Sequence, residues 1–176
     1  MNKLLALALI ALPGLAFAGN WELKTTTDAM TDQTSSQAEV KSADGDTFTV
    51  MRRSDGSVWG YVRLAGMNQF GINENLMVRI DTNKPFEFND KLEKLTRQLG
   101  KPIESWEWNP SLIGFRMWHG KPDEGCGIVQ QLYNGHQIIV RYHPNQSTYR
   151  DITFPLTGNA TAITDALGFS ISACKA

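Results

Sequence analysis

The chain has 176 residues, of which 41% are apolar and 20% charged, with 15 Gly and 7 Pro. This composition excludes a disordered, collagen-like or coiled-coil protein, and a formal charge of −1 gives no cationic field to attract nucleic acid. The length suits one domain, which buries roughly two-thirds of its surface and so folds without needing a metal.

The first 18 residues have the pattern of a signal peptide. Lys3 supplies a positive start, Leu4–Leu12 is apolar throughout, and Ala16-Phe17-Ala18 forms an A-x-A cleavage site. The apolar run is too short to cross about 30 Å of hydrocarbon, so no membrane span is predicted for the mature chain. We expect cleavage after Ala18, which leaves residues 19–176 as a single β-rich domain in the periplasm or outside the cell.

Most of the mature chain alternates apolar and polar residues between turn signals, as β-strands do. The dipeptides Asp44-Gly45, Asp55-Gly56 and Asn134-Gly135 readily adopt positive φ and predict tight turns. A loop is expected at 28–32. Strands are predicted near 21–24, 37–41, 46–53, 58–64, 76–81, 103–108, 112–119, 127–133, 137–142 and 149–156.

Two segments have helical character instead. Leu92, Leu95 and Leu99 recur at helical spacing, and Gly100-Lys101-Pro102 ends that helix. A second short helix is expected over 160–167, followed by a short strand toward the C-terminus. Together these elements predict a mainly β fold, an antiparallel β-sandwich or partly closed barrel with one or two short helices.

The two cysteines, Cys126 and Cys174, are too far apart in sequence for a C-x-x-C redox motif or a zinc knuckle. In an oxidising compartment an even pair is most simply one disulfide, and two free thiols are the alternative. A disulfide that closes a loop of this size would stabilise the fold by about 4 kcal/mol, because it restricts the unfolded chain.

The sequence contains no nucleophile elbow, phosphate loop, dinucleotide fingerprint or zinc-protease helix, so no catalytic residue and no cofactor are predicted. His119 with Asp123 and Glu124 is a grouping that suits a divalent metal. Acidic residues are common in Gly/Pro-rich connections, however, so exposed loop residues are the favoured interpretation and no metal site is predicted.

The tryptophans are the more informative aromatic residues. Trp106 and Trp108 stand two positions apart, so in a strand they share one face while Glu107 points the other way. Trp118 closes the next predicted strand, and Trp59 and Tyr61 form another same-face pair. Trp106, Trp108 and Trp118 are candidate binding residues for a sugar ring or a partner's apolar side chain. Packing in the sandwich core is the commoner use of such residues.

Several short motifs follow one another in a recognisable order. Asp28-Ala29-Met30-Thr31-Asp32 comes soon after a Trp, Arg79-Ile80-Asp81 ends a strand, and Phe154-Pro155-Leu156-Thr157-Gly158 precedes a short helix and a late Cys. In this order the chain resembles small exported bacterial β-proteins of the periplasmic accessory kind associated with type VI secretion. The resemblance implies a β-sandwich accessory protein and no catalytic residues. A Cys often present in that group is replaced here within Met51-Arg52-Arg53.

The sequence therefore predicts a non-enzymatic periplasmic or secreted binding protein whose partner is another envelope protein. One alternative is an inhibitor or immunity protein that inserts a loop, such as Gly66–Asn75 or Pro122–Gly125, into an envelope hydrolase. Another is a protein that binds or hydrolyses cell-wall glycan, with Glu107, His119 or Asp123 as acid–base groups.

Overall fold

The computed structural model describes residues 19–71, 75–88, 106–121, 125–145 and 147–171. Ten strands form two antiparallel sheets, as the alternation of the sequence predicts, and two helices complete the described fold. The six-stranded sheet has the order β1-β2-β3-β4-β8-β7, and the four-stranded sheet has the order β10-β9-β5-β6. The strands are β1 (Glu22–Thr27), β2 (Thr34–Lys41), β3 (Thr47–Arg52), β4 (Val58–Arg63), β5 (Leu76–Ile80), β6 (Phe86–Phe88), β7 (Trp106–Asn109), β8 (Leu112–Trp118), β9 (Gln137–Asn145) and β10 (Thr148–Pro155).

The two sheets pack face to face through phenylalanine rings. Phe48 on β3 lies 5.6 Å from Phe154 on β10, and Phe115 on β8 lies 5.4 Å from Phe88 on β6, measured between ring centroids. Gly60 on β4 lets Phe48 and Phe115 stack across it, because a Cβ there would lie 3.0 Å from both rings. These contacts define the inner face of each sheet, and the predicted β-sandwich is confirmed.

Helix α1 (Gly127–Asn134) corrects the strand predicted over 127–133. Ile128, Val129 and Leu132 are buried, and this spacing places them on one side of a helix, which packs against β8. The β-branched residues favoured a strand locally, but burial on one helical face decides the structure.

The turn predicted at Asn134-Gly135 is also wrong, because these residues join a helix to a strand. Gly135 is extended, with φ of −83°, and a side chain there would lie 2.6 Å from Ile80. Gly45 and Gly56, by contrast, have φ of 87° and 85° in the predicted turns between β2, β3 and β4.

Helix α2 (Asn159–Leu167) matches the second predicted helix and packs against β1, β2 and β3. Asn159 is buried and donates a 2.7 Å hydrogen bond to the carbonyl of Leu132, which fixes α2 against α1. The helix predicted over Asn89–Leu99 and the strand predicted toward Cys174 lie outside the described residues. Within the described ranges, no helix has the length and apolarity to span a membrane.

Asp81 joins the end of β5 to the start of β9. Its φ is 49°, an uncommon conformation for a residue with a side chain. Its carboxylate accepts hydrogen bonds of 3.0 Å from the backbone N–H groups of His136 and Gln137. Burial opposes ionisation, but these donors outweigh it and hold the pKa of Asp81 below its usual value. Asp81, the last residue of the Arg-Ile-Asp motif, is thus a structural junction between two strands.

Candidate functional site

Trp106 and Trp108 share one face of β7, as predicted, and that face is the inner one. Trp106 pairs with Phe115 and Trp108 with Ile113, both of which belong to the core. The two indoles are half-buried and pack against the core, and Trp118 is buried with its ring 5.3 Å from Phe169. The structure therefore places the three candidate tryptophans at the edge of the core rather than on an outward-facing platform.

The aromatic pair on β4 points outward instead. Because the neighbouring Gly60 faces the core, Trp59 and Tyr61 lie on the outer face of the six-stranded sheet, where their rings stack with centroids 6.2 Å apart. Tyr61 lies across Gly114 on the adjacent strand β8, and a Cβ at Gly114 would be 2.5 Å from the Tyr61 ring.

Two arginines cover Trp59, leaving it only 2% exposed. The guanidinium carbon of Arg53 lies 3.8 Å from the centre of the indole, and that of Arg116 lies 5.3 Å from it. Arg53 also donates to the Tyr61 hydroxyl and forms a 2.6 Å ion pair with Glu107. We call Arg53, Trp59, Tyr61, Glu107 and Arg116 the arginine–tryptophan cluster.

The turn before β4 supports this cluster. The indole N–H of Trp59 donates to the Ser57 hydroxyl at 2.9 Å, and that hydroxyl donates to Asp55 at 2.6 Å. Donation by the Ser57 hydroxyl and N–H lowers the pKa of Asp55, with smaller contributions from nearby arginines. Burial raises the pKa of Tyr61 despite the hydrogen bond from Arg53, so its phenol stays protonated at neutral pH. Arg53 is thus bonded to Tyr61 and Glu107, and Trp59 is enclosed between these side chains and Arg116.

Two of the predicted acid–base residues lie at or beside this cluster. Glu107 is paired with Arg53, and a ring nitrogen of His119 lies 3.1 Å from a guanidinium nitrogen of Arg116. Asp123 and Glu124 lie outside the described residues. Across the described ranges, no group of three His, Cys, Asp or Glu side chains is placed to hold a metal ion.

The β1–β2 hairpin differs from the rest of the six-stranded sheet. Every residue from Glu22 to Ser35 is exposed, whereas a strand on the sandwich would bury alternate side chains. Next to the tip, the two strands carry neutral polar side chains. Their hydroxyl groups pair across the hairpin, Thr25 with Ser36 at 3.3 Å and Thr27 with Thr34 at 3.2 Å. This outer half of the hairpin therefore projects from the body.

The tip of the hairpin, Asp28–Asp32, is held by a compact set of hydrogen bonds. The carboxylate of Asp28 accepts from the N–H groups of Met30 and Thr31 at 2.8 and 2.9 Å, which lowers the pKa of Asp28. Its backbone N–H bonds to the carbonyl of Gln33, and its carbonyl accepts from Asp32. This Asx-type turn presents Met30 with 93% of its surface exposed.

The sequence predicted a loop at this position but did not mark Met30 as a contact residue. Asp28 at the start of the loop is a turn signal. The exposure of Met30, however, depends on the hairpin projecting beyond the two packed sheets. The predicted insertion loop at 66–75 carries a comparable residue, Met67, which is 98% exposed. Residues 122–124 of the other predicted loop are not among the described residues.

Cys126 is fully buried and is not a free thiol. Cys174 lies outside the described residues, so the disulfide between the two stays a prediction. The described fold defines the class of this protein as a mainly antiparallel β-sandwich with short helices. No family model, curated protein or solved structure matches the chain.

Proposed function

We propose that the chain is an exported, non-enzymatic binding protein that acts on another protein of the cell envelope. The leader pattern of residues 1–18 supports export, and the predicted cleavage leaves Gly19 as the first residue. The observation that carries the binding role is the projecting β1–β2 hairpin, whose hydrogen-bonded tip presents Met30 to solvent.

The tip has the physical properties of a protein-contact element. Its turn is ordered before binding, so less conformational entropy is lost when a partner closes around it. Methionine is unbranched and polarizable, and it adapts to irregular apolar pockets. The neutral Thr and Ser walls of the hairpin lose less solvation free energy on burial than charged walls would.

The charges of the hairpin tip indicate the chemistry of the partner. Between Thr25 and Ser36 the only charged residues are Asp28 and Asp32, both at the tip. A complementary partner presents an apolar pocket for Met30 with basic side chains at its rim. A pocket of this kind suits a partner that is a scaffold or transport component as well as a partner that is an inhibited envelope enzyme.

A photo-crosslinking amino acid at position 30 tests the proposal in the intact cell. It should capture one protein, and the same group at position 67 should not. With the purified captured protein, Met30→Gln should weaken binding by about tenfold or more, because a contact residue in a pocket contributes strongly to affinity. Met67→Gln is the matched control, since its side chain is equally exposed in another loop.

Both variants should unfold at the temperature of the wild type, because neither side chain packs against the body. Equal affinity of Met30→Gln and the wild type for the captured protein would reject the hairpin as the contact. If the captured protein is a hydrolase and loses activity on binding, the inhibitor version of the function is selected.

A further inference from the structure

The open edge of β1 is a second surface, separate from the hairpin tip. β1 has β2 as its one neighbour among the described strands, and its six residues pair with β2 without a shift in register. All six residues are exposed. A strand edge of this kind presents a row of unpaired N–H and C=O groups, which pair readily with a strand from another chain.

The other edge strands of the two sheets carry protection that β1 lacks. β10 has an irregular register after Thr148 and ends in Pro155, which has no N–H to donate. β6 and β7 are only three and four residues long. In β1 the protective feature is a single lysine, Lys24. This regular, exposed edge is therefore suited to pairing with a further strand.

The hydrogen bonds of the hairpin define which backbone groups of β1 are open. The N–H of Asp28 donates to the carbonyl of Gln33 at 2.9 Å, so these two opposed residues form a hydrogen-bonded pair. Hydrogen-bonded and non-hydrogen-bonded pairs alternate along an antiparallel ladder. The N–H and C=O groups of Leu23, Thr25 and Thr27 therefore point away from β2, toward the open edge.

The charges of β1 are incompletely neutralised within the chain. Glu22 lies directly opposite Glu39 in the ladder, and like charges in this position repel each other. Lys24 forms an ion pair with Glu39, whereas Glu22 makes no ion pair within the described ranges. A further cation placed beside Glu22 would offset this repulsion.

We propose that β1 pairs with β1 of a second copy of this chain, antiparallel and about a two-fold axis at Leu23. A two-fold interface is self-complementary, so each contact occurs twice. Glu22 then faces Lys24 of the second copy on one side of the extended sheet. On the other side Leu23, which is 45% exposed in the single chain, faces Leu23 of the second copy.

The charge pattern selects this register. An axis at Glu22 or at Lys24 would place that residue opposite its own copy. An axis at Thr25 would place Glu22 opposite Asp28, and axes nearer the tip would place Glu22 opposite tip residues, none of which is basic. The axis at Leu23 is thus the one position along β1 at which both of its charges face an opposite charge.

Pairing about Leu23 uses Trp21–Thr25 and leaves the tip, Asp28–Asp32, outside the added ladder. Because the two strands are antiparallel, the two hairpin tips point in opposite directions. One dimer therefore presents two copies of Met30. This inference goes beyond the proposed function and does not rest on it, since the pairing surface does not include the tip.

Charge reversal tests the dimer in the processed protein, residues 19–176. Sedimentation equilibrium of the wild type should show a reversible dimer between micromolar and millimolar concentration. Glu22→Lys alone and Lys24→Glu alone should each weaken dimerisation by about tenfold or more, because every facing pair then has like charges. An equimolar mixture of these two variants should form a heterodimer, because each charge again faces an opposite one.

Lys84→Glu, at an exposed lysine in the turn between β5 and β6, is the matched control and should dimerise like the wild type. All three variants should keep the circular dichroism spectrum of the wild type, since the substituted side chains are exposed. The proposal is overturned by a wild type that stays monomeric at millimolar concentration, by undiminished dimerisation of either β1 variant, or by a mixture that does not associate.

Amide hydrogen exchange identifies the register. Raising the protein concentration should slow exchange at Leu23 and Thr25, whose open N–H groups enter the added ladder, and should leave exchange at Thr27 fast. Protection of Thr25 and Thr27 without Leu23 would place the axis nearer the tip and overturn the proposal. Met30→Gln should dimerise like the wild type, so loss of the tip contact and loss of the dimer are separate results.

Discussion

Arg53 and Arg79 belong to opposite sheets, and their surroundings differ. Arg53 follows β3 and is stacked on Trp59, bonded to Tyr61 and paired with Glu107. Arg79, on β5, borders a small pocket and has no ion pair within the described residues. Arg53 is therefore used to cover an aromatic side chain of its own sheet, whereas Arg79 stays exposed.

The largest effect is expected at Trp59. Trp59→Ala should lower the free energy of unfolding by about 3–5 kcal/mol, because it empties a buried site beneath two arginines. Tyr149→Ala, at a 58% exposed aromatic on the four-stranded sheet, should change it by about 1 kcal/mol or less, because its ring loses only its exposed contacts with Arg141 and His143. Urea unfolding of both variants measures the difference, and similar losses would contradict the contrast between the two faces.

Gly114 tests whether the arginine–tryptophan cluster is tightly packed. Gly114→Ala should cost about 1–3 kcal/mol, because its Cβ would overlap the Tyr61 ring. When Gly114→Ala is introduced into the Tyr61→Ala variant, it should lower the free energy of unfolding by clearly less, since the ring is then absent. A double-mutant cycle on unfolding free energies measures this coupling, and additive losses would show that the ring does not need the glycine.

Asp81 provides a pH-dependent test at the junction of β5 and β9. Asp81→Asn should cost about 1–2 kcal/mol at pH 7, because the ionised carboxylate accepts several backbone hydrogen bonds. Its pKa is lower folded than unfolded, so its contribution is present above the ordinary value of 3.8 and is lost as pH falls through the folded pKa. Urea unfolding measured between pH 7 and pH 2.5 should therefore show that the difference in unfolding free energy between the wild type and Asp81→Asn becomes smaller as the pH falls.

Asp165→Asn is the control for Asp81, since Asp165 is exposed on α2. Its free energy of unfolding should stay close to that of the wild type across the same pH range. A constant gap between Asp81→Asn and the wild type would mean that the ionised carboxylate is not the source of the stability.

The smallest effects distinguish the two arginines directly. Arg53→Gln should cost about 1–2 kcal/mol through loss of its stacking on Trp59 and its hydrogen bonds. Arg79→Gln should stay within about 0.5 kcal/mol of the wild type in thermal or urea unfolding. A large loss at Arg79 would show that it has a structural role and would remove the contrast between the two arginines.

Local patterns predicted much of the fold. Alternation located most strands, and the Asp-Gly dipeptides located the β2–β3 and β3–β4 turns, because positive φ at Gly45 and Gly56 depends on a few neighbouring residues. The strand prediction for residues 127–133 was wrong because Ile128 and Val129 suit either a strand or a helix. Their burial against β8, which the local sequence does not contain, selects the helix.

The candidate site was less predictable than the fold. The two-residue spacing of Trp106 and Trp108 fixed that they share a face, but their pairing with Phe115 and Ile113 decided that this face is the inner one. The same spacing put Trp59 and Tyr61 together on the opposite side of the sheet. Strand periodicity defines two faces, and the packing of one sheet on the other determines which is buried.

The sequence by itself determined a β-rich chain with tight turns and a pattern for export, since these depend on residues close together in the chain. The tertiary structure decided which aromatics are covered, that Met30 stands on a projecting hairpin, and that Arg79 borders a pocket. Those properties depend on contacts between residues far apart in sequence, such as the hydrogen bond from the Trp21 indole to the carbonyl of Pro155, and strand periodicity carries no information about them.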